Sequence, residues 1–167
     1  MKTRPIDFAA DRDYILECHC KVNYACDTPW ARALPYAQYR ADWFRMPTQI
    51  KEFTQAFLDS VKDSRAIAEI MEDDDGVIAG YLWAPFHEDP EADFSWMDVQ
   101  DIYIEEAFRG KGLAAQWMNY AEQKARERGA KVVRSGTGCE NAASIAMHKR
   151  LGYYVYRYEY EKVLSST

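Results

Sequence analysis

The stretch from Gln100 to Ala125 constrains this chain more than any other. Ile102 and Ile104 are β-branched and alternate with Asp101 and Tyr103, which predicts a strand. Leu113, Trp117, Tyr120, Ala121 and Lys124 fall at helical spacing with polar residues between them, which predicts a helix. Arg109-Gly110-Lys111-Gly112 joins the two. Paired glycines at a helix start let backbone N–H groups converge on one concavity, and the helix N-terminus adds positive potential. Such a turn suits an anion, above all a phosphate. It also suits a plain strand-to-helix connection. The spacing is not that of a Walker A loop, and the third glycine of a dinucleotide fingerprint is missing.

Two segments carry a resemblance. Ile102-Tyr103-Ile104, followed by Arg109, Gly112 and Ala114, resembles the acetyl-CoA-binding signature of the GNAT superfamily of N-acetyltransferases, Arg/Gln-x-x-Gly-x-Gly/Ala. Asn141 to Tyr153, with Ser144, His148 and Leu151-Gly152-Tyr153, is similar to the family's later stretch, where an Asn opens a helix that closes on Leu-Gly-Phe/Tyr. The two stand in the family's order and separation. The resemblance implies acetyl-CoA as cosubstrate, held by Ile102, Tyr103, Ile104, Arg109, Gly110, Lys111, Gly112, Leu113 and Ala114. It also implies a contact from Asn141 to the pantetheine arm. Lys149 or Arg150 is either a 3′-phosphate contact or a solvent-facing cation.

The rest of the chain is read from its start. Arg4 to Phe8 predicts a strand and Asp11 to Cys26 a helix with Tyr14, Ile15, Cys18 and Val22 on one face. Asp27-Thr28-Pro29 ends it. Trp30 to Pro47 is rich in aromatic residues. Thr48 to Val61 predicts a helix capped by Thr48, with Ile50, Phe53, Phe57, Leu58 and Val61 inward. Strands follow at Arg65–Glu72 and Gly76–Phe86, joined by a turn ending in Asp75-Gly76. A polar loop from His87 to Asp93 leads into a strand from Trp96 to Ile104. Beyond the central helix come a strand at Lys131–Ser135, a helix at Asn141–Leu151 stopped by Gly152, and a last strand at Tyr153–Val163. This order is α/β of the α+β type, a mixed and mostly antiparallel sheet with helices on both faces. It is also the order of the GNAT fold, which implies a central strand pair that splays to admit the pantetheine arm. A length of 167 residues suits a single domain over 1–167.

Composition sets the partners. A net charge of −6 argues against nucleic acid or an anionic membrane. No apolar run reaches membrane-spanning length and no leader pattern opens the chain, so the expectation is cytoplasmic. Cys18, Cys20, Cys26 and Cys139 do not make a disulfide framework in a domain of this size. Cys18, Cys20 and Cys26 with His19 raise a metal site, but Cys18 and Cys20 fall on different sides of a helix, so none is expected. Between Arg65 and Arg109 there is no Lys or Arg, while acidic residues abound. From Arg109 onward basic residues prevail. That split suits a polyphosphate cosubstrate on one side and a cationic amine on the other, or solvated surface on both.

The implied reaction names further candidates. An alkyl amine with a pKa near ~10.4 arrives protonated and needs a proton acceptor before it can attack a thioester. Asp98 or Asp101, on the strand leading to the thioester region, is the candidate. Their odd spacing puts them on opposite faces of a regular strand. The Ile104 N–H is the candidate donor to the thioester oxygen. Many relatives carry a Tyr seven residues after the helix-opening Asn. Here His148 stands there as the candidate general acid. The aromatic residues, Trp30, Tyr36, Tyr39, Trp43, Trp83, Phe86 and Trp96, read as core or as a cradle for a cation. Tyr154, Tyr156, Tyr158 and Tyr160 share one face of the last strand, either half-buried or as a homodimer contact. The expected function is N-acetyl transfer to a small-molecule or peptide amine. The rivals are a non-catalytic acetyl-CoA sensor and a domain binding another phosphate ligand.

Overall fold

Asp7 starts the first helix. Its Oδ1 accepts the N–H groups of Ala9 and Ala10, while Asp11 one turn on accepts the N–H of Asp7 at 2.9 Å. Arg4 grips Asp11 with both terminal nitrogens, at 2.7 and 2.9 Å, and Glu72 with Nε at 2.7 Å. These bonds tie β1 (Lys2–Pro5), α1 (Phe8–Cys26) and β2 (Ile67–Glu72) together at one corner. The computed structural model describes residues 1–164, so the last three residues of the domain read over 1–167 lie outside the described residues.

The aromatic-rich stretch after α1 is helical: α2 (Pro29–Arg32) and α3 (Tyr36–Phe44) precede α4 (Pro47–Ser60). Thr48 does not cap α4. Met46 is the N-cap and Pro47 fills the first helical position, where its missing N–H costs nothing. Phe53 and Phe57 are buried, but Leu58 and Val61 are 38% exposed. Leu58 lies a further 100° round the helix from Phe57, and Val61 is the C-cap, beyond the packed turns.

Two sheets follow. One has the order β1-β2-β3-β6, all antiparallel, with β3 at Ile78–Ala84 and β6 at Asp101–Ile104. The other has the order β4-β5-β7, with β4 (Phe86–Asp89) and β5 (Phe94–Val99) antiparallel and β7 (Val132–Ser135) parallel to β5. Part of the polar loop at His87–Asp93 is therefore strand. The strand read from Trp96 to Ile104 is two, broken at Gln100. α5 (Leu113–Glu127) lies between β6 and β7, and α6 (Ala142–Arg150) follows β7. The last strand, read over Tyr153–Val163, does not form. Tyr154, Tyr156, Tyr158 and Tyr160 stand 58 to 91% exposed, and alternation without a paired edge or a buried face does not hold a strand.

The break at Gln100 is a β-bulge. Phe86 pairs with Met97, so three residues back Trp83 should face Gln100; it faces Asp101 instead. Both Asp98 and Gln100 still donate their N–H across the strand, to Pro85 at 3.0 Å and Trp83 at 3.1 Å. One extra residue has entered the strand. Met97 and Val99 then share a face with Ile102 and Ile104, packed under α5 with Leu113, Trp117 and Met118. Tyr103 packs on the other face against Ile15, Trp43, Phe53 and Tyr81. Asp98 and Asp101, read as facing opposite ways, lie on the same face, because the inserted residue cancels their odd spacing. Helices cover both faces of the sheet, α5 on one and α1, α3 and α4 on the other.

Candidate active site at the bulged strand

The downstream half of the site is backbone. β6 is an edge strand. Its residues Asp101 and Tyr103 pair with Trp83 and Tyr81, and Glu105 donates its N–H to Ala79 at 2.8 Å. Antiparallel alternation therefore turns the N–H and C=O groups of Ile102 and Ile104 outward. β7 follows β5 only as far as Val99 and Ser135, so beyond the bulge this edge is open. Arg109 Nε takes the Ile104 carbonyl at 2.9 Å, and its guanidinium lies 5.5 Å from the Tyr103 ring centroid.

The glycine turn comes next. Gly110 and Gly112 both have φ of 76°, the left-handed region, and a Cβ at either would meet nothing within 4 Å. Gly112 is the N-cap of α5 with no side-chain cap, and the first helical N–H to find its carbonyl is that of Gln116, at 3.1 Å. The amides of Leu113, Ala114 and Ala115 are left for an anion. Lys111 is exposed, its Nζ resting on the Ala107 carbonyl at 3.1 Å. This cradle fits a pyrophosphate, and the open edge of β6 fits an extended amide-bearing arm.

The upstream half is side chains. An open cleft of about 580 Å³ lies over the bulge, walled by Tyr39, Trp43, Phe53 and Trp83, with Gln100, His19 and the carboxylates of Asp27 and Glu52. Asp101 lies beneath it, 2% exposed. Its Oδ2 accepts the Tyr81 hydroxyl and pairs with His19 Nδ1 at 2.7 Å. Burial and the Asp101 charge hold the Tyr81 hydroxyl well above its usual pKa, so it stays a donor. Asp98 is half-buried and accepts the Gln100 amide at 2.8 Å; burial raises its pKa. The two carboxylates read as candidate bases thus share a face but not a set of partners.

At the far end Asn141 caps α6, its Oδ1 accepting the Ser144 N–H at 3.2 Å. His148 Nδ1 lies 2.8 Å from the Ser144 carbonyl, which fixes the proton on Nδ1. Nε2 is buried with no partner among the described residues, and the ring packs edge-on against Tyr153 at 5.3 Å. In this tautomer neutral His148 offers an acceptor at Nε2; donation from Nε2 requires the imidazolium. Lys149 and Arg150 are exposed.

Sequence reading missed His19, Asn23 and Tyr81 as site residues. The available signal was a stripe on α1: Ile15 is fully buried, and His19 and Asn23 continue its line at i+4 and i+8 into the cleft. Cys18 and Cys20 are both buried, which pushes their thiols up to about 12 and about 11. Among the described residues no group of His, Cys, Asp and Glu side chains is arranged to hold a metal, and no helix is long and apolar enough to cross a membrane.

Residues 31–153 match the family described as the acetyltransferase (GNAT) family. The chain belongs to this family. Its fold is that of solved GNAT acetyltransferases. A protein from Bacillus halodurans superposes with a TM-score of 0.71 at 16% identity, covering 99% of this chain and 100% of that one. A glucosamine-6-phosphate N-acetyltransferase from Arabidopsis thaliana gives 0.61 at 13% identity over 98% of both chains. By sequence the chain is 29% identical over 119 residues to an L-methionine sulfoximine/L-methionine sulfone acetyltransferase of Pseudomonas paraeruginosa, covering 69% of this chain and 66% of that protein. It spans a quarter to just under two thirds of the length of the curated relatives it matches. The Ile102–Ala114 and Asn141–Tyr153 segments of this GNAT chain both fall within the matched residues.

Proposed function

We propose that this protein is an N-acetyltransferase that moves an acetyl group from acetyl-CoA to a primary amine bound in the aromatic cleft. The observation that carries the reading is the open outer edge of β6, which runs from the cleft at Gln100 to the uncapped start of α5. One edge therefore connects a side-chain pocket to an anion cradle.

The roles follow from chemistry. The Leu113, Ala114 and Ala115 amides and the Gly110–Gly112 turn hold the pyrophosphate. The outward groups of Ile102 and the outward N–H of Ile104 face the pantetheine amides, the Ile104 carbonyl being held by Arg109, and an outward N–H near the bulge stabilises negative charge growing on the thioester oxygen. Asn141 supports the arm, and exposed Lys149 is the candidate contact to the 3′-phosphate. The cleft holds the acceptor beside the thioester, which supplies orientation. Aromatic walls with Asp27 and Glu52, and no Lys or Arg in the lining, suit an amine carrying positive charge. The acceptor is then a cationic small molecule or the amine of a peptide. His148, once protonated, can return a proton to the leaving sulfur through Nε2.

The test is release of free CoA thiol from acetyl-CoA across polyamines, amino acids, aminoglycosides and short peptides. Amine-dependent release is the expected result. Tight acetyl-CoA binding with no release for any amine would replace this reading with the sensor.

A further inference from the structure

His19 and Asp101 lie 82 positions apart in sequence and 2.7 Å apart in space. Asp101 accepts the Tyr81 hydroxyl and is 2% exposed, facing the protein rather than the cleft. Its contact with His19 Nδ1 places the ring proton on Nδ1. Nε2 is then a lone pair, and it accepts the Asn23 amide at 3.1 Å. The ring stacks on Phe53 at 4.0 Å and meets Trp43 edge-on at 5.9 Å, so it is clamped on both sides. It lines the cleft with its side chain 17% exposed. A buried carboxylate and an oriented imidazole, its Nε2 lone pair held by the neutral Asn23 amide until an acceptor displaces it, form the arrangement that makes a general base.

We infer that His19 is the residue that accepts the acceptor amine's proton, and that Asp101 is its positioning residue. The inference rests on the acetyltransferase reading above. Asp101 does not line the cleft, and of the two side chains its carboxylate bonds, His19 and Tyr81, only His19 does. Asp98 does not line the cleft. Magnitude points the same way. Moving a proton from an ammonium of pKa ~10.4 to an imidazole of ~6.5 is unfavourable by about 10⁴; to an ordinary carboxylate near ~3.9 it is unfavourable by more than ~10⁶.

The step balances. The ammonium displaces the Asn23 amide from Nε2, which takes one N–H proton and becomes imidazolium. The freed nitrogen pair forms the C–N bond to the acetyl carbon, and the C–S bond breaks with its pair on sulfur. The nitrogen loses its second proton as the amide forms, and sulfur gains one. Ammonium and thioester become amide, thiol and one proton, which leaves His19 through the open cleft.

The test uses the full chain with acetyl-CoA and the best amine from the panel above. His19→Gln should lower kcat/KM for the amine by ~10²–10⁴-fold, leave the acetyl-CoA KM within about twofold, and abolish the acidic limb of the kcat/KM pH profile. The groups facing His19 are Asp101 on β6, Tyr81 on β3, Asn23 and Asp27 on or beside α1, Tyr39 on α3 and Glu52 on α4. All of them remain in that variant, so loss of the limb belongs to the imidazole. Asp101→Asn should lower kcat with the acetyl-CoA KM unchanged, and Asp101→Glu should restore part of the rate. Free imidazole should restore part of the rate to His19→Ala. The inference falls if His19→Gln stays within about threefold of the parent, or if Asp98→Asn loses the rate and the pH limb that His19→Gln keeps. No CoA release from the parent with any amine would instead remove the acetyltransferase reading, and the inference with it.

Discussion

The glycine turn and the aromatic cleft meet at the same strand but are built on opposite principles. The turn recognises with backbone: the amides of Leu113, Ala114 and Ala115 and two glycines whose missing Cβ atoms leave open space. The cleft recognises with side chains drawn from α1, α3, α4 and the bulge. Backbone recognition needs only a short run of chain, so any member of a family can keep it while its acceptor changes. Side-chain recognition needs residues that meet only once the chain has folded. On the proposed reading the division says where specificity would reside: the turn would fix the donor, and the cleft would choose the acceptor.

Gly112→Asp should break the turn without touching the cleft. It places a carboxylate where a pyrophosphate would sit and forces a non-glycine residue into a left-handed conformation. Acetyl-CoA affinity should fall by at least ~100-fold, about 3 kcal/mol, by calorimetry, with the thermal midpoint falling by only a few degrees. Unchanged affinity would sink the cosubstrate assignment.

The two regions also differ in how legible they were. Gly110, Gly112, Arg109, Ile102 and Ile104 could be read because they lie within one strand-turn-helix unit, where spacing implies proximity. Asn141 could be read because a cap is local, and so could Gly152, whose φ of 85° ends α6. The bulge at Gln100 could not. Nothing in Asp98-Val99-Gln100-Asp101 marks an inserted residue, and it is set by what Trp83, Pro85 and Phe86 pair with across the sheet. That single residue decides which face Asp98 and Asp101 share. His19 was noticed only beside cysteines. Its partner lies 82 positions away, and periodicity reports a helix face without saying what covers it. The tyrosine alternation from Tyr154 to Tyr160 failed for the converse reason: a local strand pattern found no edge.

The acceptor side is probed at its rim. Glu52 is an exposed carboxylate at the mouth of the cleft. Glu52→Lys reverses a charge facing a cationic acceptor. It should raise the amine KM by about tenfold, ~1.4 kcal/mol, at low ionic strength, less in high salt, with the acetyl-CoA KM unchanged. An equal rise in both constants would mean that the cleft and the turn are not separable as argued.

The smallest expected effect concerns the boundary between the regions, at Asp98, and here the sign is the test. Burial raises the folded-state pKa of Asp98 above its unfolded value. Between the two values the native state binds more protons than the unfolded state, so this group's contribution to stability falls as pH rises through that window. Asp98→Asn removes the penalty and keeps an acceptor for the Gln100 amide. The variant should therefore gain on the parent between pH 3.5 and pH 7, by less than ~1 kcal/mol for a half-buried carboxylate, in urea melts at the two pH values. Asp11 supplies the opposite sign within the same chain. Its hydrogen bonds from Arg4 hold its carboxyl below the usual range, so its contribution is present above the unfolded pKa and is lost as pH falls through the folded one. Asp11→Asn should accordingly lose on the parent over the interval where Asp98→Asn gains. If both variants moved in the same direction, the half-buried setting that separates Asp98 from the ion-paired corner at Asp11 would be wrong.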